Sequence, residues 1–85
     1  MIDNLLASFD GAFSQNTIRA YRSDWIHYEC WCEERGLTTL PATADNLAAY
    51  IEDMSVTLKA ATIRRRIDSL SSIFTLSKNP NPTHE

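Results

Sequence analysis

The chain has 85 residues, a formal net charge of −3 and 44 % hydrophobic residues, which suffices for one small core but not for two. No run approaches the roughly 18 apolar residues that a membrane-spanning helix needs. Residues 1–13 contain Asp3 and Asp10 and no basic residue, so they do not read as a secretory signal peptide. Composition and apolar periodicity together predict an all-α cytoplasmic domain.

The first part of the chain predicts two helices. Residues 3–9 form a short first helix that ends at Gly11. Ser14 then caps a long second helix, and Gly36 marks its end. Apolar residues recur along this helix at intervals of three and four, which predicts a core-facing stripe of Ile18, Tyr21, Trp25, Tyr28 and Cys32.

Two further helices follow the connector that contains Pro41. Thr43 is predicted to cap the first of them, which extends to about Met54. Its predicted buried face consists of Leu47, Tyr50, Ile51 and Met54. The last helix spans approximately residues 60–77, with an apolar stripe of Ile63, Ile67, Leu70 and Phe74. Two Asn-Pro pairs then end the regular structure.

The charge is unevenly distributed. Residues 1–58 hold three basic and nine acidic residues, whereas residues 59–78 hold five basic residues and Asp68 alone as an acid. The centre of this basic segment is the run Arg64, Arg65 and Arg66. Such a run is either a solvated helix face or a surface that meets a negatively charged partner.

A helical wheel with about 100° per residue predicts the directions of these arginines. Arg65 falls opposite the apolar stripe, and Arg64 and Arg66 flank the core edge. Small residues surround Arg65 on this outward face: Ala61, Ser69 and Ser72. The long helix has a similar outward face, formed by Asn16, Arg19, Ala20, Ser23 and His27. Two such faces near helix N-termini predict a cradle for a phosphate backbone, in which Arg65 and Arg19 reach base edges.

The residues alone leave a second function open. Arginine runs are most often solvated, and DNA-binding domains are usually more basic than this chain. A stand-alone acidic helical protein-interaction module, whose partner docks on the acids between positions 29 and 53, therefore remains ahead on composition.

No cofactor or metal is expected. Cys30 and Cys32, with His27 nearby, do not have the spacing of a zinc site, so we expect two reduced thiols, one of them in the core. Tyr21, Tyr28 and Tyr50 lie on core stripes and are not candidates for catalysis.

Three segments carry a resemblance to a known family. They are SQNTIRAYRSDWIHYECWCEERGL, LPATADNLAAYIEDM and KAATIRRRIDSLSSIFTLSKNPNPT, and they span residues 14–83. Their order and spacing resemble the N-terminal, core-binding domain of tyrosine recombinases and phage-type integrases. The resemblance implies a small orthogonal bundle of about four helices, described as SAM-like. It also implies an arm or short helix at 1–13, the core-binding domain at 14–79, and at 80–85 the start of a linker to an absent catalytic domain.

The same resemblance implies a function and a binding surface. Such domains hold one side of a recombination half-site with two helices in the major groove, and catalysis belongs to the second domain, so no activity is expected from this chain alone. The implied DNA-binding residues are Thr17, Arg19, Ala20, Ser23, Ala61, Thr62, Arg64 and Arg65. Thr17 and Thr62 would contact phosphates, and Arg65, with Arg19, would reach bases.

The implied partners are double-stranded DNA and neighbouring protomers assembled on it. An exposed Trp31 or the N-terminal arm would serve the contact between protomers, and the isolated domain is expected to be monomeric, with no membrane partner. Acids would repel DNA, so the rear surface is predicted to carry Glu29, Glu33, Glu34, Asp45, Glu52 and Asp53.

Overall fold

The computed structural model describes Leu6 and residues 13–77. This part of the chain contains three α-helices, α1 (Gln15–Glu34), α2 (Ala44–Ser55) and α3 (Ala60–Leu76). The all-α class is thus confirmed. Both ends of each of the three helices agree with the sequence prediction to within about two residues. The predicted helix over residues 3–9 lies outside the described residues except for Leu6, so a count of about four helices stays a prediction.

The predicted capping residues explain where α1 and α2 begin and where α1 ends. The Ser14 hydroxyl accepts a hydrogen bond from the backbone N–H of Thr17 at 3.1 Å, and the Thr43 hydroxyl accepts one from Asn46 at 3.1 Å. Gly36 follows α1 with a φ of 66°, a left-handed conformation that an L side chain adopts at a cost. Local sequence chemistry therefore sets these boundaries before any packing is considered.

Aromatic side chains from all three helices form the centre of the core. Trp25 and Tyr28 of α1 lie edge-on to Phe74 of α3, with ring centroids 6.3 and 6.0 Å apart. Tyr50 of α2 packs on Tyr28 at 5.3 Å. Truncation of a buried aromatic of this kind costs about 3–5 kcal/mol, so these rings account for much of the stability of so small a domain.

Two predictions about exposure were wrong. Ile51 was assigned to the buried face of α2, but it is 38 % exposed because the core lies on the side of Tyr50 and Leu47. Trp31 lies off the centre of the α1 stripe, which predicts that it covers a core edge or a neighbouring helix, and the structure confirms this position. The exposure predicted for a contact between protomers is wrong, because only 7 % of Trp31 is accessible. Its ring packs on Tyr50 at 5.1 Å, and its indole N–H donates to Asp53 at 2.8 Å. Trp31 therefore joins α1 to α2 and offers no surface to a neighbouring protomer.

The buried face of α3 is rotated relative to the predicted stripe. Leu70 and Phe74 are fully buried as predicted, but Ile73 and Ser69 are buried as well. On a helical wheel this moves the centre of the buried face by about 60° towards Ser69. The rotation brings the Arg65 side of α3 towards α1, and the position of the candidate site follows from it.

None of the helices described here is long and apolar enough to cross a membrane.

Candidate nucleic-acid interface

A groove of about 430 Å³ runs between the first half of α1 and the part of α3 from Ala61 to Ser72. Its lining is formed by Thr17, Ala20, Tyr21, Ala61, Arg64, Arg65, Asp68, Ser69 and Ser72. Small side chains on both walls keep the two helix backbones accessible, and the arginines stand along one side. The groove can therefore admit a polyanion close to both helices.

The structure brings together five of the eight predicted DNA-binding residues. Thr17, Ala20, Ala61, Arg64 and Arg65 all line the α1–α3 groove. Arg19 and Ser23 lie on a second depression of about 270 Å³, on the exposed face of α1, which they share with Arg22 and Ile26. Thr62 is half-buried and is not among the residues that line the groove.

The helical wheel predicted that Arg65 points straight out into solvent. In the structure it points towards α1 instead. Its Nη1 atom donates to the Oδ2 atom of Asp24 on α1 at 2.8 Å, and its side chain is 52 % exposed. The Ser69 hydroxyl donates to the same oxygen at 2.6 Å. The prediction failed because it assumed that the α3 face beside Ser69 is solvated, whereas this face meets α1. Arg65 thus lies at the floor of the groove with one end anchored.

Asp24, which lies beneath Arg65, is the residue of this region that the sequence patterns did not single out. It is 2 % exposed and is the buried carboxylate of the described core. On the wheel of α1 it lies about 80° from the centre of the apolar stripe, on the side where Thr17 and Ala20 also lie. A lone acid at a stripe edge, in a chain with an arginine run on another helix, is the signal that would have predicted the pair.

The groove itself carries little net charge. Arg64 and Arg65 are matched by Asp68 on the rim and by Asp24 beneath Arg65. None of the six acids predicted for the rear surface lines the groove. Arg19 and the neighbouring Arg22 lie on the adjoining face of α1. The positive charge that could attract a polyanion is therefore divided between the two surfaces, and salt screens such an attraction.

Comparison with known proteins identifies the domain. The family of phage integrase N-terminal SAM-like domains matches residues 7–78, nearly the whole chain. The chain belongs to this family. It is also similar to an integrase/recombinase XerD homolog from Selenomonas ruminantium, with 38 % identity over 58 residues. That alignment covers 68 % of this chain and 17 % of the relative, so the chain corresponds to a small part of that protein.

The two helix N-termini of the SAM-like domain that border the groove differ in their capping. At α1, the Ser14 hydroxyl is bound by the Thr17 N–H, and the hydroxyls of Ser14 and Thr17 lie 2.8 Å apart. The Thr17 hydroxyl is therefore already engaged in the cap. At α3, the N-cap residue Lys59 makes no side-chain capping bond, and the first turn contains no acid. The backbone N–H groups around Ala61 are thus left for an external acceptor.

A second polar cluster lies where α1, α2 and α3 meet. The Nδ1 atom of His27 and the hydroxyl of Tyr50 are 2.6 Å apart. Partial burial, followed by the charge of Arg66, lowers the pKa of His27, and burial raises the pKa of Tyr50 to about 12. Both groups are therefore neutral near pH 7, and the tyrosine keeps the proton that it shares with the imidazole.

The cysteines have different environments in the SAM-like domain. Cys32 is fully buried in the core and Cys30 is exposed, which confirms that one thiol lies in the core. Burial raises the pKa of the Cys32 thiol, so its reactive thiolate form is disfavoured. Among the residues that the structure describes, His, Cys, Asp and Glu side chains form no group of three suited to hold a metal ion.

Proposed function

We propose that the chain is the core-binding domain of a tyrosine recombinase, and that it holds one side of a recombination half-site in double-stranded DNA with α1 and α3 at the major groove. The observation that carries this proposal is the α1–α3 groove, in which residues from two helices converge although they are about 45 positions apart in the sequence. Family membership supports the assignment as a core-binding domain. The groove supports the proposal that DNA binds between α1 and α3.

Within this proposal the two groove arginines have different roles. Arg64 is exposed and contacts a backbone phosphate as a mobile cation. Arg65 contacts DNA from a fixed position, because Asp24 holds Nη1 and leaves its other donors available. A fixed guanidinium pays less conformational entropy on binding and presents its donors in one direction, which suits contact with a base edge.

The remaining predicted residues support this contact. The small side chains of Ala20 and Ala61 let a DNA backbone approach both helices closely. The uncapped start of α3 offers backbone N–H groups to a phosphate. Thr17 and Thr62 are proposed phosphate contacts through their hydroxyls, and in this proposal the Thr17 hydroxyl accepts a hydrogen bond from Ser14 and donates its own proton to the phosphate. Arg19 and Ser23 extend the contact along the outer face of α1 and add positive charge there.

We also propose the wider arrangement that the family suggests. Residues 1–13 form an arm or first helix that completes an orthogonal bundle of about four helices, 14–79 form the core-binding domain, and 80–85 begin a linker to a catalytic domain. DNA cleavage belongs to that other domain, and neighbouring protomers assemble on the DNA. The proposed location is the cytoplasm. Because the groove has little net charge, the domain alone binds DNA weakly and mainly at low salt.

The test compares one substitution at two exposed helix positions. Ala61→Glu places a carboxylate in the groove, whereas Ala49→Glu adds the same charge to the exposed part of α2. Binding to a short fluorescein-labelled duplex is measured by fluorescence anisotropy at low and physiological salt. We expect Ala61→Glu to weaken binding by about fivefold, because a like charge about 4 Å from a phosphate costs about 1 kcal/mol even in water.

The control variant sharpens the result. A glutamate in the first turn of α3 favours the helix, so weaker binding by Ala61→Glu would not reflect unfolding. Equal effects of the two substitutions would contradict the proposed surface. If the wild-type chain shows no binding at low salt, DNA binding is wrong, and the acidic protein-interaction module becomes the function to test.

A further inference from the structure

Arg66 has buried donors that the fold does not use. Its Nε and Nη1 atoms are both inaccessible to solvent, and among the described residues neither finds a hydrogen-bond acceptor. Buried guanidinium donors without acceptors are costly, and proteins rarely leave them so. This makes Arg66 different from Arg65, whose Nη1 atom has the Asp24 carboxylate as its acceptor.

The side chain of Arg66 lines a cavity of about 160 Å³ between the three helices. The other residues of this cavity are His27, Trp31, Tyr50, Asp53, Met54, Thr57 and Leu58. The volume equals that of about five water molecules at about 30 Å³ each, which is enough for a phosphate or a small carboxylate. The cavity does not share a lining residue with the α1–α3 groove.

The charges around the cavity favour an anion. Asp53 is the carboxylate of the lining, but its Oδ2 atom already accepts hydrogen bonds from Arg35 at 2.7 Å and from the Trp31 indole at 2.8 Å. The negative charge of Asp53 is therefore largely compensated by Arg35, which does not line the cavity. Arg66 forms no ion pair with a carboxylate among the described residues. Its guanidinium interacts instead with the neutral hydroxyl of Tyr50, and its charge contributes to the lowered pKa of the neighbouring His27.

From these observations we infer that the cavity is a binding site for a small oxyanion, a phosphate or carboxylate group, that Arg66 holds after a change of its side-chain rotamer turns the buried Nε and Nη1 donors into the cavity. A planar guanidinium binds an oxyanion through two parallel N–H donors, and such charge-assisted bonds are about twice as strong as neutral ones. The exposed ring of His27, which is hydrogen-bonded to the buried Tyr50 hydroxyl, lines the same cavity and can orient the ligand. The inference does not depend on DNA binding by the α1–α3 groove.

The test is the thermal stability of the 85-residue chain in sodium phosphate, acetate and chloride at equal ionic strength. Wild type is compared with Arg66→Met and with Arg64→Met, a matched loss of charge two positions away on the exposed face of α3. At ten times the dissociation constant, linkage predicts a rise in Tm of roughly 6–11 °C for a domain of this size. We expect this rise in wild type and Arg64→Met but not in Arg66→Met.

The comparison separates site binding from the general stabilising action of phosphate, which would raise the Tm of all three chains. The acetate arm distinguishes a carboxylate site from a phosphate site, and a rise above chloride with either anion that needs Arg66 supports the inference. An equal response of Arg66→Met, a response lost in Arg64→Met instead, or no response of wild type to either anion would overturn it.

A measurement on the unmodified chain does not depend on the folding of a variant. The pKa of His27 is followed by NMR with and without phosphate. An anion at Arg66 offsets the charge that lowers this pKa, so we expect the His27 pKa to rise when phosphate is added. An unchanged His27 pKa at phosphate concentrations that raise the Tm would place the anion elsewhere and contradict the site.

Discussion

The guanidinium of Arg65 is bound to the carboxylate of Asp24, a residue 41 positions earlier in the chain, at 2.8 Å. Asp24 is buried in the interface between α1 and α3, whereas about half of the Arg65 side chain is accessible. The arginine nearest the groove floor therefore has two roles. It neutralises a buried acid, and it presents its remaining donors to the groove.

The first prediction concerns stability. Arg65→Ala leaves the Asp24 carboxylate buried with the Ser69 hydroxyl as its remaining donor, so we expect a loss of about 1–3 kcal/mol in the free energy of unfolding. The measurement is urea denaturation followed by circular dichroism. The double variant Asp24→Asn with Arg65→Ala should lose less than the sum of the single variants, because it removes the uncompensated charge. Additive losses would show that the two side chains do not interact.

The second prediction follows from the contrast with Arg64. Arg64 is exposed and forms no ion pair among the described residues, so Arg64→Ala should change the free energy of unfolding by no more than about 0.5 kcal/mol. The same change should weaken DNA binding and reduce the slope of log K against log salt by about one. Anisotropy titrations at several salt concentrations measure that slope. A slope equal to that of wild type would remove Arg64 from the phosphate contacts.

Helix positions were predictable from the sequence because local chemistry sets them. Ser14, Thr43 and Gly36 have side chains or backbone conformations that begin or end a helix, whatever the helix later packs against. The apolar stripe of α1 was equally informative, since its large aromatic residues have no alternative to burial. The three described helices were therefore predicted nearly in full.

The direction of each helix face was less predictable. A wheel drawn from apolar residues alone could not place the buried Ser69, because a buried hydroxyl needs an acceptor and here the acceptor is the Asp24 carboxylate. That partner lies on another helix, so the information is tertiary and not periodic. For the same reason the wheel placed Ala61 correctly on the face that lines the groove but gave the wrong direction for Arg65.

The third prediction is a pH dependence of stability that comes from His27. The ring faces Tyr50, Arg66, Asp24 and, more weakly, Glu34, and partial burial is the largest cause of its lowered pKa. A group with a folded-state pKa below the unfolded value of about 6.5 stabilises the fold above that pH and loses this contribution as pH falls.

We therefore expect the free energy of unfolding to decrease between pH 7 and pH 5. Urea denaturation at a series of pH values measures it. His27→Gln keeps a hydrogen-bonding side chain that does not titrate, so its stability should vary less over this range. A wild-type profile that is flat, or one that His27→Gln leaves unchanged, would contradict the assignment to His27.

The last prediction separates the two roles of Asp24. Asp24→Asn keeps the shape of the side chain and an oxygen that accepts the Ser69 hydroxyl, but it removes the negative charge beneath Arg65. The groove then gains one unit of positive charge, so we expect binding to a duplex of arbitrary sequence to tighten by about fivefold at low salt, the equivalent of about 1 kcal/mol.

Asp45→Asn is the matched control, because it removes the same charge from an exposed position in the first turn of α2, outside the groove. Anisotropy titrations of both variants and wild type measure the effect, with urea denaturation to verify folding. An equal gain in both variants would indicate that net charge alone matters. Weaker binding by a folded Asp24→Asn variant would mean that anchoring Arg65 contributes more to DNA affinity than the buried negative charge subtracts.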